Sequence, residues 1–106
     1  MQNIKTTAEL EKILLENNPE NILLDVRTPQ EFNQGHIQGA VNFDISHPTI
    51  VRKIETLEKS KNYIVYCRSG GRSQMASMIM DQKGLKVMNC TFGFMHLRGS
   101  QIKTTK

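Results

Sequence analysis

The chain has 106 residues, room for one compact domain with one modest core, so a functional site is expected at its surface or in a shallow cleft. Hydrophobic residues make up 38% and charged residues 23%, the mean hydropathy is −0.43, and no apolar run approaches the roughly 18 residues of a membrane span. The net charge is +4, but the lysines and arginines are scattered, with no basic stripe interleaved with aromatics, so the charge does not argue for nucleic acid and suits an anionic small molecule equally well. The N-terminus, MQNIKTTAELEK, has no apolar leader pattern. Cys67 and Cys90 form no CxxC pair and no Cys/His cluster at zinc spacing, so neither a metal nor a cofactor is expected. A cytoplasmic location would keep both thiols reduced.

Helix and strand signals alternate along one domain, residues 1–106, with no repeat or linker. Thr6 and Glu9 resemble a capping box, followed by Leu10, Ile13 and Leu14 at helical spacing. That helix should end near Asn17-Asn18-Pro19, because proline disfavours helix in the residue before it. Asn21 to Val26 (NILLDV) reads as a buried strand. Thr28-Pro29-Gln30-Glu31 is a strong helix start, with Gly35 as the stop. Gly39 to Phe43 predicts a brief strand. Ser46-His47-Pro48 predicts a helix start, with Ile50, Val51, Ile54 and Leu57 inward. Tyr63 to Tyr66 (YIVY) is rich in β-branched and aromatic residues and is the clearest strand.

The loop Cys67-Arg68-Ser69-Gly70-Gly71-Arg72-Ser73 comes next. A helix over about Ser73 to Lys83 follows, with Ala76, Ile79 and Met80 inward and Gly84 as its stop. Lys86 to Cys90 is the last predicted strand. A short helix around Phe94 to Arg98 is expected, then a flexible C-terminal tail over about residues 100–106. Such alternation predicts an α/β fold, a small parallel sheet with helices on both faces.

A cysteine at the C-terminal end of a parallel strand lies where open α/β sheets place their ligands. Glycines at 70 and 71 let the backbone curl, so that successive N–H groups can converge as an anion nest. The following helix N-terminus adds unpaired donors and partial positive charge. A sulfur at that point is stabilised as thiolate, and Arg68 and Arg72 act in the same direction. Cys67 is therefore the candidate nucleophile, and Arg68, Ser69, Gly70, Gly71 and Arg72 are the candidate substrate-binding residues.

YCRSGGRS resembles the active-site loop of single-domain rhodaneses, and LLDVRTPQEFNQGHIQGAVNF resembles their N-terminal motif, in the same order. The resemblance spans nearly the whole chain. It implies a rhodanese-like fold and a sulfurtransferase in which Cys67 carries sulfur as a persulfide inside a cradle running through Arg72. It also implies a small anionic donor such as thiosulfate and a thiol, protein or cyanide acceptor. Related cell-cycle phosphatases use Cys-x5-Arg, one residue longer. The Cys-x4-Arg spacing here suits a single sulfur atom better than a phosphate. A non-catalytic docking module is a weaker reading, because such domains usually lose the cysteine.

The resemblance places Asp25 and Arg27 in a chiefly structural motif, where a buried charge needs a partner. Glu31 reads as a helix cap. His36 could serve as a base, but a turn-fixing hydrogen bond is the preferred reading. Cys90 could protect Cys67 from overoxidation, but packing is preferred. Where many members carry paired glycines and then a tryptophan, this chain reads Thr91-Phe92-Gly93-Phe94-Met95-His96. One glycine and the tryptophan are absent, which leaves donor preference and the docking of the last helix open.

Overall fold

The computed structural model describes all of residues 1–106. Its centre is a five-stranded parallel sheet in the order β1-β6-β5-β2-β4, built from β1 (Gln2–Ile4), β2 (Asn21–Asp25), β4 (Val41–Asn42), β5 (Asn62–Tyr66) and β6 (Lys86–Cys90). The central strand, β5, aligns Ile64 with Leu23 on one side and Met88 on the other. Strand alternation then divides the core. Tyr63, Val65 and Cys67 face α3 (Ile50–Glu55) and α4 (Gly71–Gln82), in a cluster with Ile50, Ile54, Ala76 and Met80. Ile64 and Tyr66 face the other way, into a cluster with Leu10 of α1 (Thr7–Leu15), Ile37 and Leu97. Helices therefore cover both faces, as the alternating pattern predicts.

Local chemistry sets several of the boundaries. Thr6 caps α1 by accepting from the Glu9 amide at 3.1 Å, and α2 (Pro29–Gln34) begins with a complete capping box between Thr28 and Glu31. Two boundaries differ from expectation. Helix α3 begins at Ile50, because Ser46-His47-Pro48 is held in a turn by the Asp44 carboxylate, which accepts the Ser46 amide at 2.9 Å and its hydroxyl at 2.6 Å. The short helix turns Ile50 and Ile54 inward and leaves Val51 exposed. The expected helix after β6 is a single 3-10 turn, Phe94–His96.

Strand β1 has no counterpart among the sequence expectations, because only Ile4 of its three residues is buried and so short a segment shows no period. The C-terminal segment is a correction. Thr104–Thr105, β7, pairs antiparallel with His36–Ile37, β3, and the Gln38 amide donates to the Lys103 carbonyl at 3.0 Å. Ile102 packs on the Leu10 cluster. The open edge of β3 offers unpaired backbone groups that the tail satisfies. No helix is long and apolar enough to cross a membrane.

Candidate active site

Strand β5 delivers Cys67 just past its C-terminal end, and α4 begins four residues later. The turn between them depends on Gly70, whose φ is +109° and whose added Cβ would lie 2.6 Å from the Thr91 carbonyl oxygen. In this conformation the Gly70 amide donates to Cys67 Sγ at 3.0 Å. The Ser73 hydroxyl, fully buried in the first turn of α4, lies 3.0 Å from the Gly70 carbonyl and 3.3 Å from the Cys90 carbonyl, anchoring the loop to the end of β6.

The chain after β6 braces the loop from outside. The Phe94 amide donates to the Cys67 carbonyl at 2.8 Å, and the Met95 amide donates to the Arg68 carbonyl at 3.2 Å. A Cβ on Gly93 would overlap the Arg68 carbonyl. Gly93 is thus the one glycine this contact requires, and Phe92 takes the other position of the pair, packed against the second core cluster. Leu97 is buried in that same cluster and docks the 3-10 turn without a tryptophan. With two loop carbonyls tied down on the outside, the loop amides are free to face the sulfur.

The electrostatic consequence is a Cys67 thiol below its ordinary range. Burial alone pushes it up, but hydrogen bonds from the Ser73 side chain and from the Ser73, Gly70 and Ser69 amides outweigh burial. Cys90 behaves in the opposite way. It is fully buried beside Ile4 and Leu10, and burial, helped by the neighbouring Cys67, pushes its thiol up to about 12. Cys90 is a packing residue here.

The two loop arginines separate. Arg72 binds Glu31 through both guanidinium ends, Nη1–Oε1 at 2.6 Å and Nη2–Oε2 at 2.9 Å. This hydrogen bond, foremost among several, holds the Glu31 carboxyl down at about 2. Arg68 is exposed and takes part in no ion pair. Glu31 is the site residue that the sequence reading assigned only as a cap. Its second role carries no local signal, because Arg72 lies 41 residues away.

Asp25 and Arg27 form the expected buried pair, with Nη2–Oδ2 at 2.6 Å and Nε–Oδ1 at 2.9 Å. Arg27 also donates to the Gly35 carbonyl at 2.6 Å and lies under the Phe94 ring, 4.4 Å from its centroid. Asn42 donates to the carbonyls of both Asp25 and Arg27. Burial, foremost, and Asp25 keep the Tyr66 phenol protonated, and its oxygen accepts the Ile37 amide at 3.0 Å. This network ties β2, β4, β5 and the Phe94 turn together behind the loop. His36 stacks on Phe32 with centroids 3.6 Å apart, and its Nδ1 lies 2.9 Å from the Phe32 carbonyl, so it fixes the turn after α2. No three His, Cys, Asp or Glu side chains converge as a metal cluster. A cavity of about 870 Å³ lies on the α1 face between Leu14, Leu23, Ile37 and Ile102, and no loop residue lines it. Donor geometry, and not cavity size, marks the Cys67 loop as the candidate site.

Known proteins agree with this architecture. Residues 6–98 match the family described as "Rhodanese-like domain". The chain is 38% identical over 99 residues to the "Putative sulfurtransferase YtwF" of Bacillus subtilis, an alignment covering 93% of this chain and 92% of that protein. It is also 32% identical over 71 residues to a tRNA uridine(34) hydroxylase of Pelagibacter ubique, covering 66% of this chain but 24% of that protein. The crystal structure of a rhodanese-related protein from Thermoplasma volcanium superposes with a TM-score of 0.83 at 28% identity, covering 99% of this chain and 98% of that one. With the parallel sheet, the strand-end cysteine and this match across nearly its whole length, the chain belongs to the rhodanese-like domain family, and its relatives include proteins named as sulfurtransferases.

Proposed function

We propose that this protein moves sulfane sulfur through a persulfide on Cys67, taking it from thiosulfate or another persulfide donor and passing it to a thiol or cyanide. The observation that carries this reading is the Gly70 amide donating to Cys67 Sγ at 3.0 Å, within a set of donors that lowers the thiol despite its burial. Thiolate Cys67 attacks the outer sulfur of thiosulfate. A new S–S bond forms at Cys67, the S–S bond of the donor breaks, and sulfite leaves with that electron pair. An acceptor thiolate or cyanide then attacks the outer sulfur of the persulfide, and the Cys67 thiolate returns. These two half-reactions predict ping-pong kinetics. No general base is invoked, because the hydrogen bonds at Cys67 favour its thiolate and His36 is committed to Phe32.

Arg68 recruits the anionic donor, Ser69, Gly70 and Gly71 supply the curled backbone, and Arg72 shapes the loop. The engagement of Arg72 with Glu31 also counts against phosphatase chemistry, in which the loop arginine must grip the phosphate oxygens. The test is thiosulfate:cyanide sulfurtransferase activity, followed as thiocyanate, for wild type and Cys67→Ser. Thiocyanate formation that disappears in the variant is the expected result. A wild type that makes no thiocyanate and gains no sulfur mass on Cys67 would overturn the proposal in favour of a docking module.

A further inference from the structure

We infer that Glu31 is a specificity-determining residue: by holding Arg72 in a bidentate pair, it leaves Arg68 as the one free cation on the catalytic loop and thereby sets the charge of the donor that the loop accepts. This deepens the proposed sulfur-transfer reading and rests on it for the identity of the substrate. Two arginines in a seven-residue loop would make a doubly cationic mouth. The structure instead spends one of them inside the fold: both ends of the Arg72 guanidinium meet Glu31, at 2.6 Å and 2.9 Å. Glu31 is itself immobilised. Its Oε1 accepts the Thr28 amide and hydroxyl, each at 3.1 Å, and its own amide donates to the Thr28 hydroxyl at 3.3 Å. The pair therefore joins the first turn of α2 to the first turn of α4, and a carboxylate whose position is fixed by its own helix fixes the arginine.

The charge arithmetic at the mouth follows. Arg72 and Glu31 cancel, and Arg68 stands exposed without a partner. A loop with one free cation and a set of backbone donors attracts a compact anion without trapping it. Thiosulfate arrives as an anion and departs as sulfite, also an anion, so weak retention of oxyanions favours turnover. The structure thus points to Glu31, on a different helix from the nucleophile, as the residue that tunes oxyanion retention.

The test compares the rates at which iodoacetate, an anion, and iodoacetamide, its neutral counterpart, alkylate Cys67, read by peptide mass. Both reagents attack the same thiolate, so their ratio cancels any change in thiolate fraction and reports the local potential. Glu31→Gln keeps a residue that still completes a capping box and should raise the iodoacetate to iodoacetamide ratio by about threefold, the size expected of one unmasked charge in a partly solvated site. Arg68→Gln should lower the ratio, Glu31→Gln with Arg72→Gln should restore it, and about 0.5 M salt should compress all of these differences. Should Glu31→Gln fail to fold, Arg72→Gln alone serves, since an unpaired Glu31 must lower the ratio. An unchanged ratio in whichever single variant folds, or a lowered one in Glu31→Gln, overturns the inference. The readout needs no sulfur donor, so it stays independent of the thiocyanate assay: a responsive ratio with no thiocyanate would fault the sulfur-transfer reading and not the role of Glu31.

Discussion

Cys67 and Cys90 stand at the C-terminal ends of neighbouring parallel strands, exposed by 1% and 0% respectively, yet their thiols are driven in opposite directions. Burial is common to both and raises both. The difference lies in what each sulfur meets. Cys67 projects to the α4 side, where the Gly70 turn and the start of α4 aim N–H donors at it. Cys90 projects to the α1 side, among Ile4, Leu10 and Ile64, where no donor answers it. Convergent donors, not exposure, thus separate the two thiols.

The sharpest way to break this contrast is to exchange the sulfurs for other atoms one at a time. Cys67→Ser should reduce sulfur transfer to background, a loss of about a thousandfold or more. Cys90→Ala should keep activity within about twofold, with a loss of about 1 kcal/mol in a denaturant melt from the vacated core volume. Equal loss of activity in both variants would show that the two thiols work together.

Disturbing the brace around Cys67 comes next in size. Gly93→Ala forces a methyl into the Arg68 carbonyl and should destabilise the protein by about 1–3 kcal/mol. It should also raise the pH at which Cys67 alkylates at half its maximal rate. An unchanged alkylation profile would mean that the contact after β6 does not hold the nest. Ser73→Ala removes the hydroxyl that anchors the loop to the Gly70 and Cys90 carbonyls. Neutral-pH alkylation of Cys67 should slow by a few-fold, about the effect of loosening one neutral hydrogen bond.

The smallest effect concerns acid stability. The Glu31 carboxyl is held at about 2 against an ordinary value of 4.5. Its contribution to stability is therefore complete above 4.5 and is lost as pH falls through about 2. Glu31→Gln should flatten the stability profile within that acid window and leave its slope near neutral pH unchanged. A slope identical to wild type between these limits would show that the pair adds no net stability.

Much of this protein was legible along the chain. The Thr28-Pro29-Gln30-Glu31 cap, the YIVY strand and the glycine-bearing loop after Cys67 are local features, and each formed where its residues placed it. So did β6, from Lys86 to Cys90. Readings failed where the deciding partner was distant or the segment too short for a period. Strand β1 exists because β6 offers it an edge, and β7 exists because β3 does. The late start of α3 came from Asp44 competing for the Ser46 amide, a side-chain contact that proline punctuation at Pro48 masked.

By itself the sequence determined the alternating elements, the strand-end position of Cys67 and the glycine that lets its loop close, because these depend on neighbours within a few residues. Only the tertiary structure decided which of two arginines remains free, why two equally buried thiols are driven in opposite directions, and why Gly93 alone suffices in place of a glycine pair. Each of those outcomes depends on groups brought together from different elements, Glu31 with Arg72, Ser73 with Cys90 and Gly93 with Arg68. Hydrogen bonds and steric overlap act only over a few ångströms, a proximity that chain order does not encode and the packed sheet supplies.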